Sequence, residues 1–340
     1  MPRIVYIYKE KDTNAAWSSV ISELGDYLQE RCEQCEIIHV NNSNKKTLSD
    51  SREKLDNLNL DLNDIIIINH AICFWLLLKI IVRLKKKGVK IVFLFHEHEH
   101  ILGINYCLRN IFQIKPKEWL RHFKYWYKLP TSLATHTVCL SLSQSVVLNQ
   151  KNYERLSFLG IDPYFFPRRE KNISDYDTNK MTVMFPHDPN RFDKGGRFFN
   201  SLKKDKKFHF TYGRDLILPY SEVFKKYHNS DIIFLPSDSE SYSLVLAEAL
   251  ATNSCIITNS NVGIVQLLLS SYTVSELEDF GLFICHHSET GYISGLEKAE
   301  NFLNNHETNT SRLFNFLKLD KKSAYNRFLT YICRIEKSDV

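Results

Sequence analysis

No stretch of this sequence is long and apolar enough to cross a bilayer. The longest apolar run, AICFWLLLKIIV, covers twelve residues and contains Lys79, against the roughly twenty that a spanning helix needs. The opening PRIVYIY lacks a charged region followed by a long apolar one, so no signal peptide is expected here. Zinc spacing is missing as well. CEQC at 32–35 is a lone CxxC with no second pair, and CHH at 285–287 has no partner motif. The eight cysteines fall mostly in apolar runs, where a thiol behaves as a small hydrophobe. That usage suits a reducing cytoplasm. There is no short internal repeat and no low-complexity tract, which excludes a solenoid or a disordered tail.

What is present is enough for two ordinary domains. The 340 residues are 44% hydrophobic and 24% charged, with a net charge of +5. The charge is unevenly placed. Residues 79–128 hold twelve Lys/Arg against three Asp/Glu, or +9, which leaves −4 for the remainder.

Strand-like and helix-like segments alternate. RIVYIY, CEIIHV, DIIIINH, VKIVFLFH and TVCLSL read as strands. Between them AAWSSVISELGDYLQERC, AICFWLLLKIIVRLKKK (stopped by Gly88) and SQSVVLNQKNYERL read as helices. Continuous β-branched runs alternating with helices imply a parallel sheet covered on both faces. The pattern breaks at LGIDPYFFPRREKNISDYDTNK, a proline-bearing charged stretch without period. A second series follows: MTVMFP, FHFTYG, DIIFLP, CIITN and GLFIC. The expected organisation is α/β throughout. A Rossmann-like domain spans 1–165, a linker 166–180, a second Rossmann-like domain 181–320, and a terminal helix 321–340 packs on either domain.

The stretch with most chemistry is DIIFLPSDSESYSLVLAEALATNSCIITNSNVG, residues 231–263. Its helix is expected to start near Ser243, which leaves Glu240 in the preceding loop and Glu248 inside the helix. Two carboxylates so placed can hold two ends of one long ligand at the carboxyl edge of a parallel sheet. Glu248 sits among Leu246, Ala247, Ala249 and Leu250, a poor place for an unpaired charge.

PSDSESYSLVLAEALATNSCIIT resembles the donor-binding segment of the retaining glycosyltransferases of family 4, which have the GT-B fold. Pro236, Ser237, Glu240, Leu244, Glu248, Ala249 and Ala251 match that family's pattern, with Tyr242 for its aromatic. FPHDPNRFDKGG is similar to the family's Arg/Lys phosphate loop in an R-x-x-K form. GIDPYFFP resembles the passage between its domains, and IVFLFHEHEH its histidine-ending strand. There are departures: Ser241 and Ser243 stand for glycines, and Asn253 and Cys255 for the glycine and proline after the helix.

The resemblance implies two Rossmann-like domains facing a cleft, and transfer of a sugar from a nucleotide sugar, UDP-linked by preference, to a glycan or lipid-linked acceptor. It places Arg191 and Lys194 on the diphosphate, Glu248 on the ribose hydroxyls and Glu240 on the transferred sugar. The backbone N–H groups of Tyr242, Ser243 and Leu244 fall on the distal phosphate. His96 faces the reacting centre, with His98 as its alternative. No metal is expected, although alternation would set His96, His98 and His100 on one face of an extended segment. The basic aromatic stretch KPKEWLRHFKYWYK can either meet anionic headgroups or be an ordinary basic helix with buried aromatics; no nucleic-acid role is favoured. Two rivals have different signatures. A silent binding or partner subunit on the same fold would not hydrolyse a sugar nucleotide, and an epimerase would need no acceptor.

Overall fold

A computed structural model describes residues 3–9, 16–40, 45–96, 99–109, 119–120, 122–123, 125–145, 153–167, 180–213 and 220–337. The chain divides into two compact units, Met1–Leu159 with Ala324–Val340, and Gly160–Ser323. The boundary therefore falls before GIDPYFFP. Ile161 pairs as an isolated bridge with Asp320 inside the second unit, and Asp162 caps the short turn Pro163–Phe165 there.

The first unit is built on six parallel strands, β1 (Ile4–Lys9), β2 (Cys35–Val40), β3 (Ile65–Asn69), β4 (Lys90–Phe95), β5 (His136–Cys139) and β6 (Tyr153–Arg155). Their order is β2-β1-β3-β4-β5-β6. The central strands are buried along their length: Ile65–Asn69 and Lys90–Phe95 expose almost nothing, as isoleucine-rich strands covered on both faces should. Two readings of the sequence are corrected. The run at 71–87 is two helices, Ala71–Leu76 and Leu78–Lys86, because Leu77 leaves helical geometry at φ −107° and ψ 9°. The end of SQSVVLNQKNYERL is not helical: Tyr153–Arg155 pairs with β5 as the edge strand β6.

The helix Lys321–Lys337 packs most of its length on the first unit. Phe328 is buried against Phe158, and the Tyr325 hydroxyl donates to the Val20 carbonyl at 2.9 Å. At its far end, the buried Lys90 ammonium donates to the Ile335 and Glu336 carbonyls at 2.8 and 3.1 Å. A cation there satisfies carbonyls that have no partner within the helix.

The second unit carries β7 (Thr182–Phe185), β8 (His209–Tyr212), β9 (Ile232–Phe234), β10 (Cys255–Thr258) and β11 (Leu282–Ile284). They are parallel in the order β11-β10-β9-β7-β8. Chain order reverses direction between β7 and β9. Ligands of open α/β sheets bind outside the carboxyl ends of the strands at such a reversal, so the segments after β7 and β9 are the place to look. In the first unit the reversal lies between β1 and β3.

Phe328→Ala should cost about 3–5 kcal/mol, the usual range for emptying a buried phenylalanine site. Urea unfolding should show a lowered midpoint; an unchanged midpoint would mean that the terminal helix adds nothing to the first unit's core.

Candidate functional site

The segment after β7 returns tightly to the segment after β9. Gly195 has φ +77°, and a Cβ built on it would collide with the Pro236 carbonyl oxygen; one on Gly196 would collide with that of Pro189. Only glycine permits this approach. A backbone bond locks it, the Asp238 N–H donating to the Asp193 carbonyl at 3.0 Å. Lys194 is thereby set against Glu240, with Nζ 2.5 Å from Oε1, both side chains 12% exposed. The Ser237 hydroxyl donates to the same Oε1 at 3.2 Å. Glu240 is also fixed by its backbone, which bonds Asn261 O and Gly263 N at 3.1 and 3.0 Å.

Arg191 is placed differently from Lys194. Its guanidinium meets the carboxylate of Asp193 in its own loop, through Nε at 2.8 Å and Nη2 at 2.6 Å. The two cations of the R-x-x-K pattern thus have different local duties.

The helix Leu244–Ala251 starts one residue after Ser243, where the sequence puts it. Ser243 adopts φ 80° and ψ 89°, and its hydroxyl accepts from the Leu246 N–H at 3.2 Å. A serine here holds a left-handed conformation that glycine would adopt without strain. Tyr242 is buried, and its carbonyl accepts from Ile264 N. The Leu246 N–H is taken by Ser243, while those of Leu244 and Val245 have no intrahelical acceptor and point outward from the helix start, which makes this end suited to an anion.

Glu248 lies about one turn inside that helix and is 6% exposed. The buried Tyr227 hydroxyl donates to its Oε2 at 3.0 Å. Burial outweighs that hydrogen bond and pushes the carboxyl up to about 7. The two glutamates are therefore unlike: Glu240 faces a cation, Glu248 a phenol.

In the first unit, His96 directly follows β4 and its ring meets that of His70 edge-on, centroids 5.3 Å apart. His70 follows β3 with φ 87°, and its Nδ1 accepts from the Ile72 N–H at 3.1 Å. His70 was invisible as a site residue from sequence, since it closes an apolar strand with no motif around it; the signal it did carry is its place at the end of a buried strand beside the chain reversal. His98 lies outside the described residues. The helix Glu99–Arg109 already includes His100, so the extended alternation of three histidines does not persist. Lys115, Lys117, Arg121 and Lys124 of the basic stretch also lie outside the described residues. Its aromatics differ: Tyr127 is fully buried, the half-buried Trp126 stacks on Trp75 at 5.0 Å, and Phe123 is exposed. Among the described residues no helix is long and apolar enough to cross a membrane.

Two parallel α/β units, each with a reversal of strand order and polar groups at the carboxyl edge, define the doubly wound two-unit class. The comparison with solved structures makes it specific. The chain resembles sucrose-phosphate synthase from Thermosynechococcus elongatus at TM-score 0.66 and 11% identity, over 98% of this chain and 99% of that one. It resembles Anabaena HepE in complex with UDP at TM-score 0.66 and 9% identity, over 98% and 100%. It also resembles the lipopolysaccharide outer core galactosyltransferase WaaB, in its apo form, at TM-score 0.61 and 10% identity, over 98% and 99%. The chain has the GT-B fold of these glycosyltransferases. No protein-family model matches it, and no curated protein does.

The pH dependence of stability follows from Glu248. Its folded-state carboxyl holds a proton more tightly than the unfolded one, so between about pH 4.5 and pH 7 rising pH strips the unfolded chain first and stability falls. Glu248→Gln should therefore match the parent near pH 4 and exceed it at pH 8, by on the order of 3 kcal/mol. Thermal melts at the two pH values check this; equal melting temperatures at pH 8 would remove the burial argument.

Proposed function

We propose that this chain is a glycosyltransferase that moves a sugar from a nucleotide-sugar donor, UDP-linked by preference, to a glycan acceptor. The observation that carries the reading is the Lys194–Glu240 pair beside the start of Leu244–Ala251, at the chain reversal of the second sheet. Its fold supports it, as does the UDP in the HepE complex. WaaB, acting on lipopolysaccharide core, supports a surface-glycan or lipid-linked acceptor.

In this reading the second unit holds the donor. When the sugar–phosphate bond breaks, negative charge grows on the departing diphosphate and must be met by groups already in place. Lys194 moves from Glu240 to the distal phosphate, and the backbone N–H groups of Tyr242, Ser243 and Leu244 supply the remaining donors. Arg191 shapes the loop through Asp193. Glu240, released from the ammonium, accepts from hydroxyls of the transferred sugar. Glu248 accepts from the ribose diol through Oε1 while Tyr227 holds Oε2. In the first unit, His96, whose ring meets that of His70, is the catalytic histidine of this reading. Transfer with retention at the anomeric carbon and without a metal completes the proposal. Docking at an anionic surface is supported by the charge at 79–128 and by the exposed Leu120 and Phe123, whereas Tyr127 is buried and Trp126 stacks on Trp75.

Lys194→Ala should lower turnover by about 10²–10³, as loss of one preorganised donor does. Glu248→Ala should weaken binding of free UDP, whereas Glu240→Ala should spare it and damage transfer. Calorimetric titration with UDP and a transfer assay check the split; UDP bound equally by all three variants and the parent would sink these assignments. Activity should survive an excess of chelator. Loss under chelator with recovery on adding a divalent ion would overturn the metal-independent mechanism.

A further inference from the structure

Asp238 stands two residues before Glu240 and belongs to none of the roles above, yet its carboxylate is bonded by both Arg197 and His287. Its side chain is 7% exposed. Arg197, in the first turn of the helix Gly196–Leu202, grips it with both terminal nitrogens, Nη2 to Oδ1 at 2.7 Å and Nη1 to Oδ2 at 3.0 Å. His287, just past β11, donates from Nε2 to Oδ1 at 2.8 Å. The Tyr292 hydroxyl is hydrogen-bonded to His287 Nδ1 at 2.7 Å, and Asn259 Nδ2 donates to the Tyr292 hydroxyl at 2.8 Å and to the Ser237 carbonyl at 3.0 Å.

These contacts form one connected chain, Asn259 to Tyr292, Tyr292 to His287 and His287 to Asp238. The chain links the carboxyl ends of β10, β11 and β9. Through Arg197 and the Asp238 N–H it also reaches the glycine-bearing segment 189–196, on both sides of Lys194. A flexible lysine gains catalytic value only if its loop is held, because a misplacement of about 1 Å can cost about 10² in rate.

We propose that Asp238 is a positioning residue that holds the Lys194 loop in register with the Glu240 loop, through Arg197 on one side and His287 on the other. The proposal rests on the nucleotide-sugar reading for what the loop binds, but not for the brace itself. Asp238 touches neither phosphate nor sugar in this assignment; it acts on Lys194.

Two measurements on the full-length chain test it. The first needs no ligand. Hydrogen exchange of the amides in 189–196 should accelerate at least about tenfold in Asp238→Ala and in His287→Ala, with the helix Leu244–Ala251 unchanged. Asp238→Asn, which keeps the shape and one acceptor for Arg197, should fall between. His287→Ala keeps the test open if Asp238→Ala fails to fold. Unchanged exchange in 189–196 in the folded variants overturns the brace. The second measurement is UDP and uridine affinity. His287→Ala and Asp238→Asn should each weaken UDP on the order of tenfold and leave uridine alone, and the UDP loss should vanish in a Lys194→Ala background. Additive losses, or uridine weakened as much as UDP, overturn positioning through Lys194. A parent protein that binds neither UDP nor any other nucleoside diphosphate overturns the functional reading instead, while the exchange result judges the brace separately.

Discussion

An almost enclosed carboxylate at a sheet edge needs a cation, and the meeting of Glu240 with Lys194 is the constraint around which the second unit's polar edge is arranged. Two charges at 12% exposure lose much of their hydration, so their attraction offsets that loss only when the geometry is held. The holding is done by backbone. Gly195 and Gly196 let the loop after β7 lie on Pro236 and Pro189, the Asp193 carbonyl accepts from Asp238, and the Glu240 backbone bridges to Val262. In the proposed function, the donor's phosphate takes the carboxylate's place as the ammonium's partner at a loop that the backbone already holds.

The two glutamates solve the same burial problem in opposite ways. Glu240 faces an ammonium, Lys194 Nζ, at 2.5 Å. Glu248, beside the Tyr227 phenol, has its carboxyl pushed up to about 7 by burial. A ligand diol brought to Glu248 supplies hydroxyl donors that favour the ionised form, so binding would pull a proton off the site. The energy held in an undersolvated carboxylate before ligand arrives is returned as affinity when donors appear.

Much of this was readable before any coordinates. The alternation of β-branched runs and helices marks both parallel sheets, because buried parallel strands are continuous apolar runs. The loop position of Glu240, the helix start at Ser243 and the buried setting of Glu248 follow from local pattern and from the apolar neighbours at 246–250. Other features were not local and could not be read. The break at Leu77 lies inside an unbroken apolar run, and β6 is three residues whose only reason to be extended is the edge of β5. Lys194 meeting Glu240 depends on a contact across 46 residues. Asp238, Asn259, His287 and Tyr292 are ordinary residues singly and a network only once three strand ends are adjacent.

The departures from glycine show how chemistry can drift while backbone geometry stays. Ser243 and Asn253 stand where the resembled pattern carries glycine, and both have positive φ, 80° and 59°. Each left-handed non-glycine residue costs on the order of 1 kcal/mol or more, so something must hold it. Ser243 is held by its own hydroxyl on Leu246 N, which also caps the helix. Asn253 is held at both ends of its amide: Nδ2 donates to the Thr308 carbonyl at 2.8 Å and Oδ1 accepts from Ser311 N at 3.2 Å. Glycine would relieve the strain at either position but would lose these bonds. The side chains that replaced it have become fasteners, one at the mouth of the proposed phosphate site and one tying the far end of the same helix to the segment 308–311. The helix Leu244–Ala251 is therefore pinned at both termini by side chains that glycine would lack.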